Sequence, residues 1–404
     1  MKSVCAAGIM GPDGAFAEGR EQRQSFTGFT GGRAAGEVFL CGFCLSRIRK
    51  DGVMMAHLRV FHIDSGRKYF SPEDIRDLIG VLAENGFDEM EIAIGNEGWR
   101  LLLDDMTVET PVGSYTDKDV RNALKAGNRR YCDSGANEWT EEEMDGILSF
   151  AAEKGVGIIP LLDVPGHMSS VVTAMTLLGI PSPSLKGSAS AVDPDNAEAI
   201  GFAGALVRKY IDYFTSRSCR YINFGADEYG IDLDGVTGFA RLQDKSNYAY
   251  GRFIDFANGI ADHIIAKGAV PVMYNDGMYY ACDLGGGMLR REIVCSYWTA
   301  GWKGYDLAPA SFIAGKGHAI LTTHREWYYV LGREGMGKGT PSFTYEKALK
   351  GIETIPEGTV IGGGEAMGSM LCVWCDEPDV PYGDREKERV RSMIRLFAEK
   401  NAKG

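Results

Sequence analysis

The sequence is short of positive charge and of long apolar runs. Lys and Arg total 43 against 55 Asp and Glu, a formal net charge of −12 at pH 7. A nucleic-acid surface or a polybasic membrane anchor needs clustered Lys and Arg, so both are excluded, and a neutral or weakly charged small ligand fits better. No apolar run approaches the roughly 18 residues of a membrane span. The opening "MKSVCAAGIMGPDG" has Pro and Asp where the apolar stretch of a leader would fall, so no export signal is expected in it and no compartment is assigned. Neither a G-x-G-x-x-G nor a G-x-x-x-x-G-K-[ST] loop follows the first strand-like segment, which counts against a dinucleotide or nucleotide site. Cysteine is present but odd in number, nine in all, and mostly within strand-like segments, which favours reduced thiols over a disulfide framework. The two C-x-x-C units, "CGFC" at 41–44 and "CVWC" at 372–375, lie too far apart and too deep in apolar sequence to be read as a zinc site. No metal or organic cofactor is expected.

What is present divides into two regions. Residues 1–53 are rich in Gly, Ala, Arg and Ser without sustained periodicity and read as a loose extension. From 54 to 404, short apolar segments alternate with amphipathic ones. The strand candidates are 56–63, 89–94, 156–163, 220–226, 269–275, 292–297, 318–323 and 369–374. Helices start at readable signals: Ser71 caps "PEDIRDLIGVLAENG", and Thr140 and Glu143 form a capping box. Further helices are expected at about 194–216, 246–267 and 384–400. Near-continuous apolar strands separated by helices are parallel strands buried on both faces, and eight of them predict an α/β fold, a closed (β/α)8 barrel of the TIM type, with an open doubly wound sheet as the alternative.

In such a barrel the active site gathers at the C-terminal strand ends. Those ends carry Asp64 and Arg67; Asn96, Glu97 and Trp99; Asp163 and His167; Asp227 and Glu228; Asn275, Asp276, Tyr279 and Tyr280; Trp298 and Trp302; Trp327, Tyr328 and Tyr329; and Trp374, Asp376 and Glu377. Taken singly, each has a plain reading as rim packing or a solvated loop residue. Taken together, aromatic faces around carboxylates suit a sugar ring and acid chemistry on a glycosidic bond. The adjacency of Asp227 and Glu228 is unusual, because neighbours along one strand point apart and must divide their labour.

"GADEY" resembles the Asp-Glu signature of family 20 glycoside hydrolases, the β-N-acetylhexosaminidases. The likeness extends to "DSGRKYF", "DVPGH", "NDGMYY", "WTAGWKGYD", "WYYVLG" and "VWCDEP", over about residues 56–400. The resemblance implies an exo-acting retaining hydrolase that removes terminal non-reducing β-linked N-acetylglucosamine or N-acetylgalactosamine from a glycan. The substrate's own 2-acetamido oxygen would be the nucleophile, through an oxazolinium ion. Asp227 would then orient the acetamido group and Glu228 would be the general acid. Burial or a neighbouring negative charge is what lets a glutamate act so near neutrality, and Asp227 and the aromatics are expected to supply both. Arg67 and Asp376 would bind sugar hydroxyls. Trp298, Trp327 or Trp302, and Trp374 would wall the pocket, while Tyr328 or its neighbour Tyr329 would hold the acetamido oxygen. His167 would support the acid. Its usual aspartate partner is replaced near Asn96, and Asn275 stands where many members have tryptophan, a change expected to open the pocket; Tyr279 is counted with the substrate-binding residues. Two alternatives are a lacto-N-biosidase-type enzyme releasing a disaccharide and a non-catalytic glycan-binding barrel.

Overall fold

The computed structural model describes residues 57–401 apart from 136, 234–248, 302–305 and 356–365; the N-terminal region, Trp302 and the thiols of Cys5, Cys41 and Cys44 therefore lie outside the described residues. Eight parallel strands close on themselves: β1 (Leu58–Ile63), β2 (Glu89–Asn96), β3 (Gly157–Leu162), β4 (Tyr221–Asn223), β5 (Val270–Tyr274), β6 (Val294–Tyr297), β7 (Ile320–Thr322) and β8 (Ala366–Trp374). Each pairs with its sequence neighbours, and β1 pairs with both β2 and β8, which completes the ring. All eight expected strands are present, so the barrel stands and the open sheet does not. Among the described residues no helix is long and apolar enough to cross a membrane.

Helices α1 (Pro72–Glu84), α2 (Asp117–Tyr131), α3 (Glu141–Lys154), α4 (Ser169–Leu177), α5 (Ala197–Ser216), α6 (Ala249–Ala266), α7 (Ala310–Gly315), α8 (Tyr345–Glu353) and α9 (Asp384–Lys400) cover the strands. Ser71 and Thr140 both make reciprocal capping boxes, with Asp74 and Glu143 as their third-position partners. The first part of the helix expected at 246–267 lies outside the described residues. Between β5 and β6 the described chain runs through two 3-10 turns, Asn275–Gly277 and Tyr280–Cys282, and no α-helix.

Alternate strand residues face the barrel interior, as a period of two requires. Val60, Ala93, Ile159, Leu161, Val272, Tyr274, Val294, Leu321, Met370 and Cys372 form an apolar inner cluster. One polar knot crosses it. Buried Glu91 accepts from Asn223 Nδ2 at 2.8 Å and from the Tyr274 hydroxyl at 3.1 Å, and lies 2.8 Å from His62 Nδ1. Four strands are thereby tied through one hydrogen-bonded carboxyl group. Cys372 and Cys375, the described half of the two C-x-x-C units, are buried free thiols.

The loops after β1 and β2 are locked together under the barrel mouth. A Cβ on Gly66 would come within 2.5 Å of the Asn96 carbonyl oxygen, so this crossing needs glycine. Arg100 is fully buried beneath it. Its guanidinium donates to the carbonyls of Gly66 (2.9 Å), Asn137 (2.8 Å) and Arg67 (3.0 Å) and pairs with Asp133. Replacing it by methionine strands a partly buried carboxylate and three carbonyls. Arg100→Met is expected to cost about 3–5 kcal/mol, read as a lowered urea midpoint; a loss under about 1 kcal/mol, the scale of an exposed ion pair, would contradict this role.

Candidate active site

At the C-terminal mouth of the barrel is a pocket of about 110 Å³, lined by Arg67, Asn96, His167, Asp227, Glu228, Tyr274, Trp298, Tyr328, Val330, Phe343, Trp374 and Asp376. Asp227 and Glu228 both reach it because they stand beyond the end of β4, not on it. Gly225, Ala226 and Glu228 all have positive φ, at 64°, 61° and 43°. The chain therefore turns sharply there, and the two neighbours converge where a regular strand would send them apart. The turn is held from below: Asp163 Oδ1 accepts from the Ala226 amide at 3.0 Å, and Asp276 Oδ2 accepts from the Glu228 amide at 2.6 Å. A Cβ on Gly225 would lie 2.2 Å from Asp163 Oδ1, so only glycine leaves room for that carboxylate.

His167 is the hub. Its Nε2 lies 3.8 Å from Asp227 Oδ2 and 3.6 Å from Glu228 Oε2, while its Nδ1 is 2.8 Å from Glu97 Oε1. Burial opposes a charge on the ring, but the carboxylates of Glu228, Glu97 and Asp227 outweigh it and hold the imidazole well above its usual range, which favours the imidazolium. Glu97 responds in kind. Against its burial, the hydrogen bond and charge of His167, then Arg67 and Ser169, draw it down to about 2. Glu97 has φ 58°, which swings its side chain under His167, and its carbonyl accepts from the Ser170 amide at 2.8 Å. Asn96, by contrast, is at the pocket wall. The acidic partner of the histidine is thus Glu97, one residue beyond Asn96.

The row of charged groups continues to the far wall. Arg67 Nη2 is 3.9 Å from Glu97 Oε1 and 3.4 Å from His167 Nδ1, and its Nη1 is 2.9 Å from Asp64 and 3.9 Å from Asp376. Fully buried Asp64 also accepts from the Cys375 amide at 3.1 Å, tying the loop after β1 to the one after β8. Two further carboxyls sit under the acid pair. Burial, then the charge of Asp227, push Asp163 well above the usual carboxylate range and Asp276 up to about 7; burial raises Asp227 too, with His167 opposing. Asp163, His167 and Asp227 offer ligand atoms within 4.8 Å of one another. A metal there would have to compete with a proton for the His167 ring nitrogen that faces the two acids.

The aromatic wall is narrower than expected from sequence. Trp298 stacks on Tyr328 with centroids 6.0 Å apart and planes 12° off parallel, and Tyr328 meets Trp374 at 5.6 Å. Of the neighbouring tyrosines, Tyr328 lines the pocket; buried Tyr329 instead bonds Glu386 on α9. Trp327 is turned outward by a 3-10 turn and packs on Phe397 of α9 at 5.3 Å, away from the pocket. Trp99 is core, edge-on to Tyr210. Tyr279 is buried behind β6, its hydroxyl 2.8 Å from His318 Nε2, and lines no part of the pocket. Asn275 is fully buried and does not open the pocket: it holds the loop after β6, accepting from the Trp298 amide at 2.8 Å and donating to the Thr299 carbonyl at 2.8 Å. Tyr274, one residue earlier, faces the pocket. Among the described residues, three buried polar atoms of the lining lack a hydrogen-bond partner: Asn96 Oδ1, Asp227 Oδ1 and Trp374 Nε1. Sequence reasoning gave no role to Glu97, Asp163 or Asp276, though all three were visible as acids at strand ends, and missed Val330 and Phe343, which carry no polar signal.

The sequence profile of the glycosyl hydrolase family 20 catalytic domain matches residues 57–362. A solved structure of the pneumococcal virulence factor StrH, from work on N-glycan recognition and hydrolysis, superposes with a TM-score of 0.79 at 32% identity, covering 86% of this chain and 83% of that one. Dispersin B shares the fold at 18% identity, with a TM-score of 0.61 over 85% of this chain and 99% of its own. The lacto-N-biosidase of Bifidobacterium bifidum is 27% identical over 177 residues, 42% of this chain and 15% of that protein. The β-hexosaminidase of Vibrio furnissii is 25% identical over 153 residues, 35% of this chain and 25% of its own. The matched segments span a quarter or less of these curated relatives. With a profile match over most of its length and a barrel that superposes on the StrH module across nearly all of it, the chain belongs to glycosyl hydrolase family 20.

Proposed function

We propose that this barrel removes terminal, non-reducing β-linked N-acetylglucosamine, or N-acetylgalactosamine, from a glycan with retention, using the substrate's acetamido oxygen as nucleophile. The observation that carries the reading is the convergence of two adjacent carboxylates on one imidazolium in one small pocket. One carboxyl serves the leaving oxygen and the other serves a different part of the same sugar, so no enzyme nucleophile is required. Glu228 is the acid, then the base for water. Asp227, whose buried Oδ1 is an unpartnered acceptor, takes the acetamido N–H and stabilises the charge developing on that nitrogen. The Tyr328 hydroxyl lies 2.8 Å from Thr323 Oγ1; with Thr323 as donor, the phenolic proton is left for the acetamido oxygen. Trp298 and Trp374 offer their faces to the ring, and Arg67 with Asp376 its hydroxyls.

His167 supports this division by placing one positive charge beside both acids, and Glu97 keeps it there. The sign of the pH dependence follows. Glu97 is depressed, so its contribution to stability is present above about pH 4.5 and lost as pH falls toward 2. His167 is raised, so its contribution is complete below about pH 6.5 and lost as pH climbs through its elevated value. The melting-temperature difference between wild type and Glu97→Gln is therefore expected to be largest between about pH 4.5 and 6.5 and to shrink on both sides. A difference independent of pH would show that the pair is not charged.

A chromogenic aryl N-acetyl-β-glucosaminide tests the activity. Glu228→Gln is expected to lose on the order of 10³-fold in kcat, and Asp227→Asn on the order of 10²-fold or more with the N-acetyl substrate. Full activity in either variant sinks the assignment. Similarity to a lacto-N-biosidase gives a second reading its place in the same assay: turnover of a lacto-N-biose glycoside alone would favour disaccharide release, and tight binding without turnover a silent glycan-binding barrel.

A further inference from the structure

We propose that Asp276 is a positioning residue that fixes the proton-donating carboxyl and one aromatic wall of the pocket relative to each other. It sits in the 3-10 turn after β5 and is fully buried. Both of its oxygens are engaged by N–H donors from the loops after different strands: Oδ2 accepts from the Glu228 backbone amide at 2.6 Å and Oδ1 from the Trp298 indole at 3.0 Å. One carboxylate thus ties the turn after β4 to the wall after β6. The tie has something to hold, because Ala226 and Glu228 are non-glycine residues at φ 61° and 43°, a conformation that persists only where its surroundings impose it. An ionised carboxylate is the stronger acceptor at both oxygens at once. Asn275, immediately before it, fixes the backbone of Trp298 and Thr299, so two consecutive side chains of one turn set the indole by its backbone and by its ring. Asp276 itself does not line the pocket; it acts through Glu228 and Trp298.

This inference rests on the glycosidase reading, and it separates from it by leaving group. Cleavage of an alkyl N-acetyl-β-glucosaminide needs a well-placed acid, whereas a dinitrophenolate departs without one. Asp276→Asn keeps the shape and one acceptor but turns an amide N–H toward one of the two donors. It is expected to lower kcat/KM for the alkyl glycoside at least ~10-fold more than for the dinitrophenyl glycoside, a part of the roughly 10²–10⁴-fold that a well-placed general acid supplies. Trp298→Phe removes the indole donor alone and is expected to lower both substrates by a common factor. The ratio of the two substrates in one preparation does not depend on how much of the variant has folded. A wild type that cleaves neither substrate overturns both readings. A wild type that cleaves both, with an Asp276→Asn ratio equal to its own, overturns this one alone.

Discussion

A buried imidazolium wedged among carboxylates is the constraint on which this active site depends. Without the positive charge of His167, Glu97, Asp227 and Glu228 would place three acids around one small volume, with Asp163 and Asp276 beneath. Their mutual repulsion in a water-poor setting would either protonate several of them or force the loops apart. With it, Asp376, Arg67, Glu97, His167 and the acid pair form a row of opposite-charge contacts, in which Glu97 also offsets the approach of Arg67 to His167. That row crosses from the loop after β8 to the loop after β4, and it gives the mouth of the barrel a fixed electrostatic axis. The barrel itself contributes rigidity, through the Glu91 knot inside and the Arg100 clamp outside, so that distances within the row are set by strands and not by loops alone.

The same geometry accounts for the unusual pairing of neighbouring acids. A regular strand would have sent Asp227 and Glu228 to opposite faces; three positive-φ residues in the span from Gly225 to Glu228 bring them to one. Such a turn is costly in isolation, of the order of 1–3 kcal/mol for each strained non-glycine residue. Asp163 and Asp276 offset that cost with direct hydrogen bonds to the turn's own amides. The raised values of both buried carboxyls are the electrostatic counterpart of this arrangement: acids are used as scaffolding where the chemistry already needs acids.

The barrel was legible because parallel strands buried on both faces leave continuous apolar runs, and Ser71 and Thr140 mark helix starts by a local hydrogen-bond rule that tertiary contacts did not override. The pocket was legible as a set of strand ends, less so as a set of side chains. Glu97 was passed over for Asn96 because β2 extends two residues past its apolar segment and then kinks, and a positive φ at a glutamate leaves no mark in composition. Trp327, an expected wall in alternation with Trp302, follows a strand, but a single 3-10 turn rotates it onto α9, and Tyr328 lines the pocket there. Asn275 and Tyr279 are polar or aromatic at the right strand end yet serve the scaffold, while Tyr274, the last residue of β5, is the one that faces the sugar site. One-residue errors of this kind are what a sequence cannot resolve once the strand has ended and the period of two no longer applies.

The central claim is that the nucleophile belongs to the substrate. It is tested most directly by kcat/KM for aryl glycosides whose 2-acetamido methyl carries no, one, two or three fluorines. Fluorine weakens the carbonyl oxygen as a nucleophile while leaving the anomeric carbon and the leaving group untouched. The account requires a steep monotonic fall across the series; a flat series would mean that attack comes from the enzyme or from water, and would contradict it.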